Sequence, residues 1–195
     1  YGATCKNVLI YAGASLTLSN TDTLTVYGNW TNNNTFTANS GTVIFEGTST
    51  ISGSGTNTFN NFKIDIGGNV TASSGNMNIT GSWVNAGTFN PNNGTITFSG
   101  GNAQSITCAA GEVFNNLTMQ KSSGEVTLNN DITVRSTITL TSGNLRLRNY
   151  NLTLGTTTTN AIVNPATVTN ASYVVADETG FVKQYINSVG ASATK

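Results

Sequence analysis

Apolar and polar residues alternate along this chain in short runs. Leu16-Thr17-Leu18, Leu24-Thr25-Val26, Val43-Ile44-Phe45, Ile96-Thr97-Phe98, Ile138-Thr139-Leu140 and Leu152-Thr153-Leu154 each put two apolar side chains on one side of an extended strand. No stretch sustains the i, i+3, i+4, i+7 spacing of an amphipathic helix. Clusters of Asn, Gly and Ser separate the runs, and these residues make turns and tolerate left-handed backbone. The pattern predicts an all-β chain of many short strands.

A repeat organises those strands. Leu24-Thr25-Val26-Tyr27-Gly28-Asn29-Trp30 is echoed 53 residues later by Met77-Asn78-Ile79-Thr80-Gly81-Ser82-Trp83. Thr35-Phe36 matches Thr88-Phe89 at the same offset, and Gly41-Thr42-Val43-Ile44-Phe45 matches Gly94-Thr95-Ile96-Thr97-Phe98. Beyond a two-residue insertion near Asn102 the offset becomes 55, so Phe59-Asn60-Asn61-Phe62 meets Phe114-Asn115-Asn116-Leu117. Cys5 starts a still earlier copy. The units run over 5–58, 59–113 and 114–168, and 169–195 forms a diverged closing segment of one domain spanning 1–195. With apolar positions every six to nine residues, each unit is expected to hold three coils of about 18 residues, stacked about 4.8 Å apart. The fold predicted is a single-stranded parallel β-helix, a β-solenoid with Asn ladders at its corners, right-handed by the general rule for parallel crossovers.

Composition narrows the chemistry. Thr, Asn, Gly and Ser supply 102 of 195 residues, there is no histidine, and eight basic residues balance eight acidic ones. A chain without His has no Ser-His-Asp or Cys-His nucleophile and no imidazole metal site. Zero net charge gives no electrostatic footprint for nucleic acid, and no apolar run is long enough for membrane insertion. The eight acids are scattered, so a polysaccharide-cleaving β-helix is not expected. No enzyme, cofactor or metal is expected.

Gly28-Asn29-Trp30-Thr31-Asn32, Gly41-Thr42-Val43-Ile44-Phe45-Glu46-Gly47 and Thr58-Phe59-Asn60-Asn61-Phe62-Lys63-Ile64 resemble repeats of very large secreted and cell-surface, adhesin-like proteins of Bacteroidota and related bacteria. Ser172-Tyr173-Val174-Val175-Ala176-Asp177-Glu178-Thr179-Gly180-Phe181-Val182-Lys183 is similar to the segment that often closes such a block. The resemblance implies an extracellular or cell-surface structural module, a stalk or a filament or sheath subunit, and a piece of a longer chain. Solenoid ends expose unpaired strand edges, so the expected partner is a copy of itself or a flanking repeat, end to end. The alternative is an adhesin that binds carbohydrate on its lateral face.

Few residues carry candidate chemistry. Arg146 and Arg148, with Arg135 nearby in sequence, form a possible basic patch for acidic glycans. Asp22-Thr23-Leu24 is similar to a short Bacteroidota O-glycosylation motif, which makes Thr23 a candidate. Trp30 and Trp83 share strand parity with apolar neighbours and are expected to point inward. Cys5 aligns with core phenylalanines, whereas Cys108 aligns with Gly53, in a turn, where its thiol could bond to another molecule. About five coils, roughly 25 Å, would separate the two sulfurs, against the 7 Å between Cα atoms that a disulfide tolerates. Flat threonine arrays can bind ice when their Thr-x-Thr pairs hold a constant coil spacing. Pairs such as Thr21, Thr23 and Thr25, or Thr137, Thr139 and Thr141, are expected to be too irregular for that.

Overall fold

The computed structural model of the chain describes residues 1–155, 162–163 and 172–184. Among these there is no helix, and every strand pairing is parallel. The chain winds as a β-solenoid with three faces. The first face stacks Gly2–Cys5, Thr23–Val26, Thr42–Phe45, Asn61–Ile64, Trp83–Asn85 and Gln104–Cys108 in order. It continues through residues 126–128, 144–146 and Val174–Val175. The second face begins with Val8–Ile10, Trp30–Asn32 and Thr48–Ser52, and the third with Ser15–Thr17 and Thr35–Thr37. The closing segment keeps this winding, with Val182–Gln184 against Leu152–Leu154 on the second face. The unit boundary near residue 168 lies outside the described residues.

The alternating pattern explains the section. On each face the apolar residue of every pair turns inward, and Val26, Phe45, Ile64, Ile79, Phe98 and Met119 are completely buried. Both tryptophans are buried at 0% exposure, as their strand parity requires. Burying each such side chain contributes about 1.5–3 kcal/mol or more. A stack of coils lets every one of them sit between neighbours above and below.

Asparagine ladders join the corners. Asn7 Oδ1 accepts from the Asn29 amide, and Asn29 Oδ1 accepts in turn from the Thr50 amide, one coil on. Asn61 does the same for Ser82 and Asn151 for Phe181. Each carboxamide thus satisfies a corner N–H that would otherwise lack a partner. Corners pack so closely that side chains are forbidden at some positions. A Cβ on Gly47 would lie 1.9 Å from the Tyr27 carbonyl oxygen, and one on Gly53, at φ +107°, would lie 2.0 Å from Asn32 O.

The coil length differs from expectation. Cys5, Val26, Phe45, Ile64, Asn85 and Cys108 form one column, so a coil takes 19 to 23 residues rather than 18. A 53-residue repeat therefore spans two and two-thirds coils instead of three. Leu24 lies on the first face, whereas its counterpart Met77 lies on the third, in Asn76–Ile79. Likewise Trp30 is on the second face and Trp83 on the first. Each copy of the repeat is turned by one face relative to the one before.

Candidate functional site

Three features offer chemistry: the end of the first coil, the lateral faces, and polar groups sealed in the core. In the first coil, Gly2–Cys5, Val8–Ile10 and Ser15–Thr17 each pair on one side only. Beneath them opens a cavity of about 350 Å³ lined by Cys5, Val8, Ile10, Leu16 and Leu24 among others. The interior of the solenoid is thus presented at this end, framed by unpaired backbone donors and acceptors.

A larger groove, about 670 Å³, lies between the corners at residues 50–57 and 71–76. Its origin is a change of partner within Thr48–Ser52. Ile51 and Ser52 pair back to Trp30 and Thr31, whereas Thr48, Ser49 and Thr50 pair forward to Asn69, Val70 and Thr71. The corner loops that follow separate, and Ser, Thr, Asn and Gly line the space between them.

The third face consists of two ladders joined by one bridge, Ser15–Thr17 with Thr35–Thr37 and then the strands from Asn57 onward. Its outward residues form two columns. Ser15 and Thr17 pair with Thr35 and Thr37, and a bridge from Thr35 to Thr56 carries the register into the next coil. Thr58 follows with Asn78, then Asn76 and Asn78 meet Thr95 and Thr97. Asn116 and Thr118 come next, then Thr137 and Thr139. The expectation of irregular Thr-x-Thr pairs is overturned. Thr23 and Thr25 lie on the first face, but Thr35 and Thr37, Thr95 and Thr97, and Thr137 and Thr139 each supply one rung of the array. The rungs align because this face returns every 19–21 residues, as from Asn78 to Thr97 and from Thr97 to Thr118.

The arginines do not converge. Arg146, on the first face, is held by Glu125, with Nε to Oε1 at 2.7 Å, and by Asp177 through Nη1. Those carboxylates neutralise it and keep its guanidinium charged. Arg148 follows at the next corner with φ +52°, and Arg135 lies at a different corner, between residues 132–134 and 137–142. Thr23 opens a first-face strand and is half-buried.

The cysteines share one column five coils apart, about 24 Å at ordinary strand spacing, and both thiols are free. Cys108 is not in a turn. It ends the strand Gln104–Cys108, is 4% exposed, and burial together with the nearby Glu112 pushes its thiol up to about 12. It holds the position of Gly53 in the rotated copy, with Ile106 on Trp83 as Ile51 is on Trp30, but the strand here runs one residue further than Thr48–Ser52. A buried, protonated thiol lacks the access that an intermolecular bond needs. Cys5, at the open end, is the more accessible of the two.

Two buried ionisable groups escape the sequence pattern. Glu112 is 3% exposed and accepts from Trp83 Nε1 at 2.7 Å, Asn85 Nδ2 at 2.8 Å and the Val113 amide at 3.0 Å. Burial raises its pKa against those hydrogen bonds. Lys121, also 3% exposed, donates to Asn102 O at 2.7 Å, Ser99 O at 3.3 Å and Gln104 Oε1, and burial lowers it to about 8. The signal for Glu112 was in the repeat, because the 55-residue offset places it on Asn57, whose Oδ1 accepts from Trp30 Nε1 at 2.9 Å.

Among the described residues, no group of three His, Cys, Asp or Glu side chains is placed to hold a metal. No protein-family model, curated protein or solved structure matches the chain.

Proposed function

We propose that this chain is a structural module of the bacterial cell surface, a stalk, filament or sheath subunit whose solenoid is extended by another coil of the same kind. The observation that carries this reading is the open first coil. Three strand edges and an apolar cavity meet there, and another solenoid coil is the surface that satisfies both at once. The resemblance of its repeats to those of secreted, adhesin-like proteins supports an extracellular setting. An adhesin reading through Arg135, Arg146 and Arg148 is weaker, because Arg146 is already neutralised and the three do not share a face.

Electron microscopy and sedimentation of the purified chain test the proposal. Ordered fibres whose axis follows the stacking direction, growing with concentration, are expected. Monomers persisting at high concentration overturn stacking between copies. Replacing Leu16, at the open cavity, with Glu should lower assembly while leaving the fold intact by circular dichroism, since a carboxylate at the joint resists burial.

A further inference from the structure

We infer that the third face binds ice. Between residues 15 and 139 its outward positions form two columns across seven coils, and ten of the fourteen are threonine, with Asn76, Asn78, Asn116 and Ser15 the exceptions. Thr97 is the least open of them, 4% exposed with its hydroxyl bonded to Asn76 Oδ1, and Val163 follows Thr139 in register. Neighbouring coils repeat at about 4.7–4.9 Å, and alternate residues along a strand at about 6.6 Å. The coil repeat lies close to the shorter oxygen repeat on a prism plane of hexagonal ice, so rows of hydroxyls running along the solenoid axis can hold water in a lattice that continues into a crystal.

Three further observations point to water as the ligand. The hydroxyls of Thr37, Thr95, Thr118, Thr137 and Thr139 make no hydrogen bond to another described residue, which leaves a grid of donors and acceptors for solvent. Among the described residues, the strands of this face bear no exposed charge. Its one charged residue, Lys121, turns inward to Ser99, Asn102 and Gln104. Charged groups hold hydration shells that do not fit an ice lattice, and the first face carries three in Lys63, Glu125 and Arg146. Finally, the face is stiff. Met77, Ile96, Leu117 and Ile138, between the outward pairs, are at most 2% exposed, and β-branched threonine has few rotamers to choose from.

Other surfaces lack this combination. The first face breaks its threonine column with Ile44, Lys63 and Val84. The second face aligns Thr48 and Thr50, Asn69 and Thr71, and Thr88 and Asn90, but loses register with earlier coils at Thr48–Ser52.

The inference is independent of end-to-end stacking, and its test is separate. Purified full-length chain is placed with a single ice crystal in a nanolitre osmometer, and its inhibition of ice recrystallisation is measured in parallel. A gap between melting and freezing points, faceted crystals and arrested grain growth are expected. Thr118→Lys, in the centre of the array, should abolish all three, as should Thr37→Lys at an exposed position on the same face. Thr127→Lys on the first face should leave them unchanged. Circular dichroism reports whether each variant keeps its fold. Absence of freezing-point depression and of recrystallisation inhibition in the wild-type chain overturns the inference, as does full activity in a folded Thr118→Lys or Thr37→Lys variant.

Discussion

The two complete copies of the repeat build the same aromatic cluster on different faces. In the first, Trp30 packs edge-on against Phe36 at 4.7 Å and against Phe59 at 5.3 Å. In the second, Trp83 meets Phe89 at 4.7 Å and Phe114 at 5.4 Å. Asn32 and Asn85 each turn a side-chain oxygen onto the amide two residues on, closing the corner. A cluster that survives a one-face rotation is held by its own contacts rather than by its place on the solenoid. One atom set differs. The indole and carboxamide N–H groups converge on the neutral Asn57 in one copy and on the Glu112 carboxyl in the other.

The largest effect should come from removing either indole. Trp30→Ala and Trp83→Ala each leave a cavity among packed rings, at a cost of about 3–5 kcal/mol. Trp83→Ala belongs at the upper end. It also removes a donor from a buried carboxyl and the ring stacked on Phe62 at 4.6 Å and 17°. Urea unfolding followed by circular dichroism ranks them. Equal costs would mean that the carboxyl is not the energetic difference between the copies.

A smaller effect isolates that carboxyl. Because burial raises the Glu112 pKa, the folded state binds its proton more tightly than the unfolded chain does. Its contribution is fully present below the ordinary carboxylate value and is lost as pH rises through the folded value. Glu112→Gln keeps an oxygen for Trp83 and Asn85 and carries no charge. The variant should therefore match wild type in acid and be the more stable of the two at neutral pH. Thermal midpoints of both proteins across that range measure it. A constant difference between them at every pH would show that the first copy, with Asn57, is no better suited to neutral pH than the second.

Much of the architecture is legible in the residues. Alternation gives Leu24 and Val26 inward, and strand parity puts Trp30 and Trp83 in the core. The Asn-rich corners announce ladders such as Asn7 to Asn29 to Thr50. Coil length was not legible, because the repeat period fixes a product of coil length and coil number, and both 18 and about 20 residues fit the spacing. That ambiguity hid the threonine array, whose members are neighbours only after the coil closes. Cys108 was misplaced because its counterpart Gly53 already belongs to a corner, whereas the strand Gln104–Cys108 runs one residue further. Glu112 and Lys121 were hidden for another reason: charge in a polar sequence reads as surface, and only the folded coils reveal that their main partners lie 17 to 29 residues earlier in the chain.

The smallest change, at Ser49, tests the insertion. Gln104, in the second copy, corresponds to Ser49 in the first. The Gln104 carboxamide spans to Ile79 O at 2.9 Å and Gly81 O at 2.7 Å while accepting from Lys121. Ser49 sits at 1% exposure with a hydroxyl that has no partner, because its side chain is too short to reach a neighbouring carbonyl. A desolvated hydroxyl with no hydrogen bond opposes folding, and replacing it with a methyl group removes that cost. Ser49→Ala should therefore raise the unfolding midpoint slightly, by up to about 1 kcal/mol, whereas Gln104→Ala should cost about 1–3 kcal/mol by stranding two carbonyls and one contact of the Lys121 ammonium. Opposite signs at two positions 55 residues apart would show that the insertion supplies what the first copy lacks. A loss at both would mean that Ser49 is satisfied by water in the groove beside it.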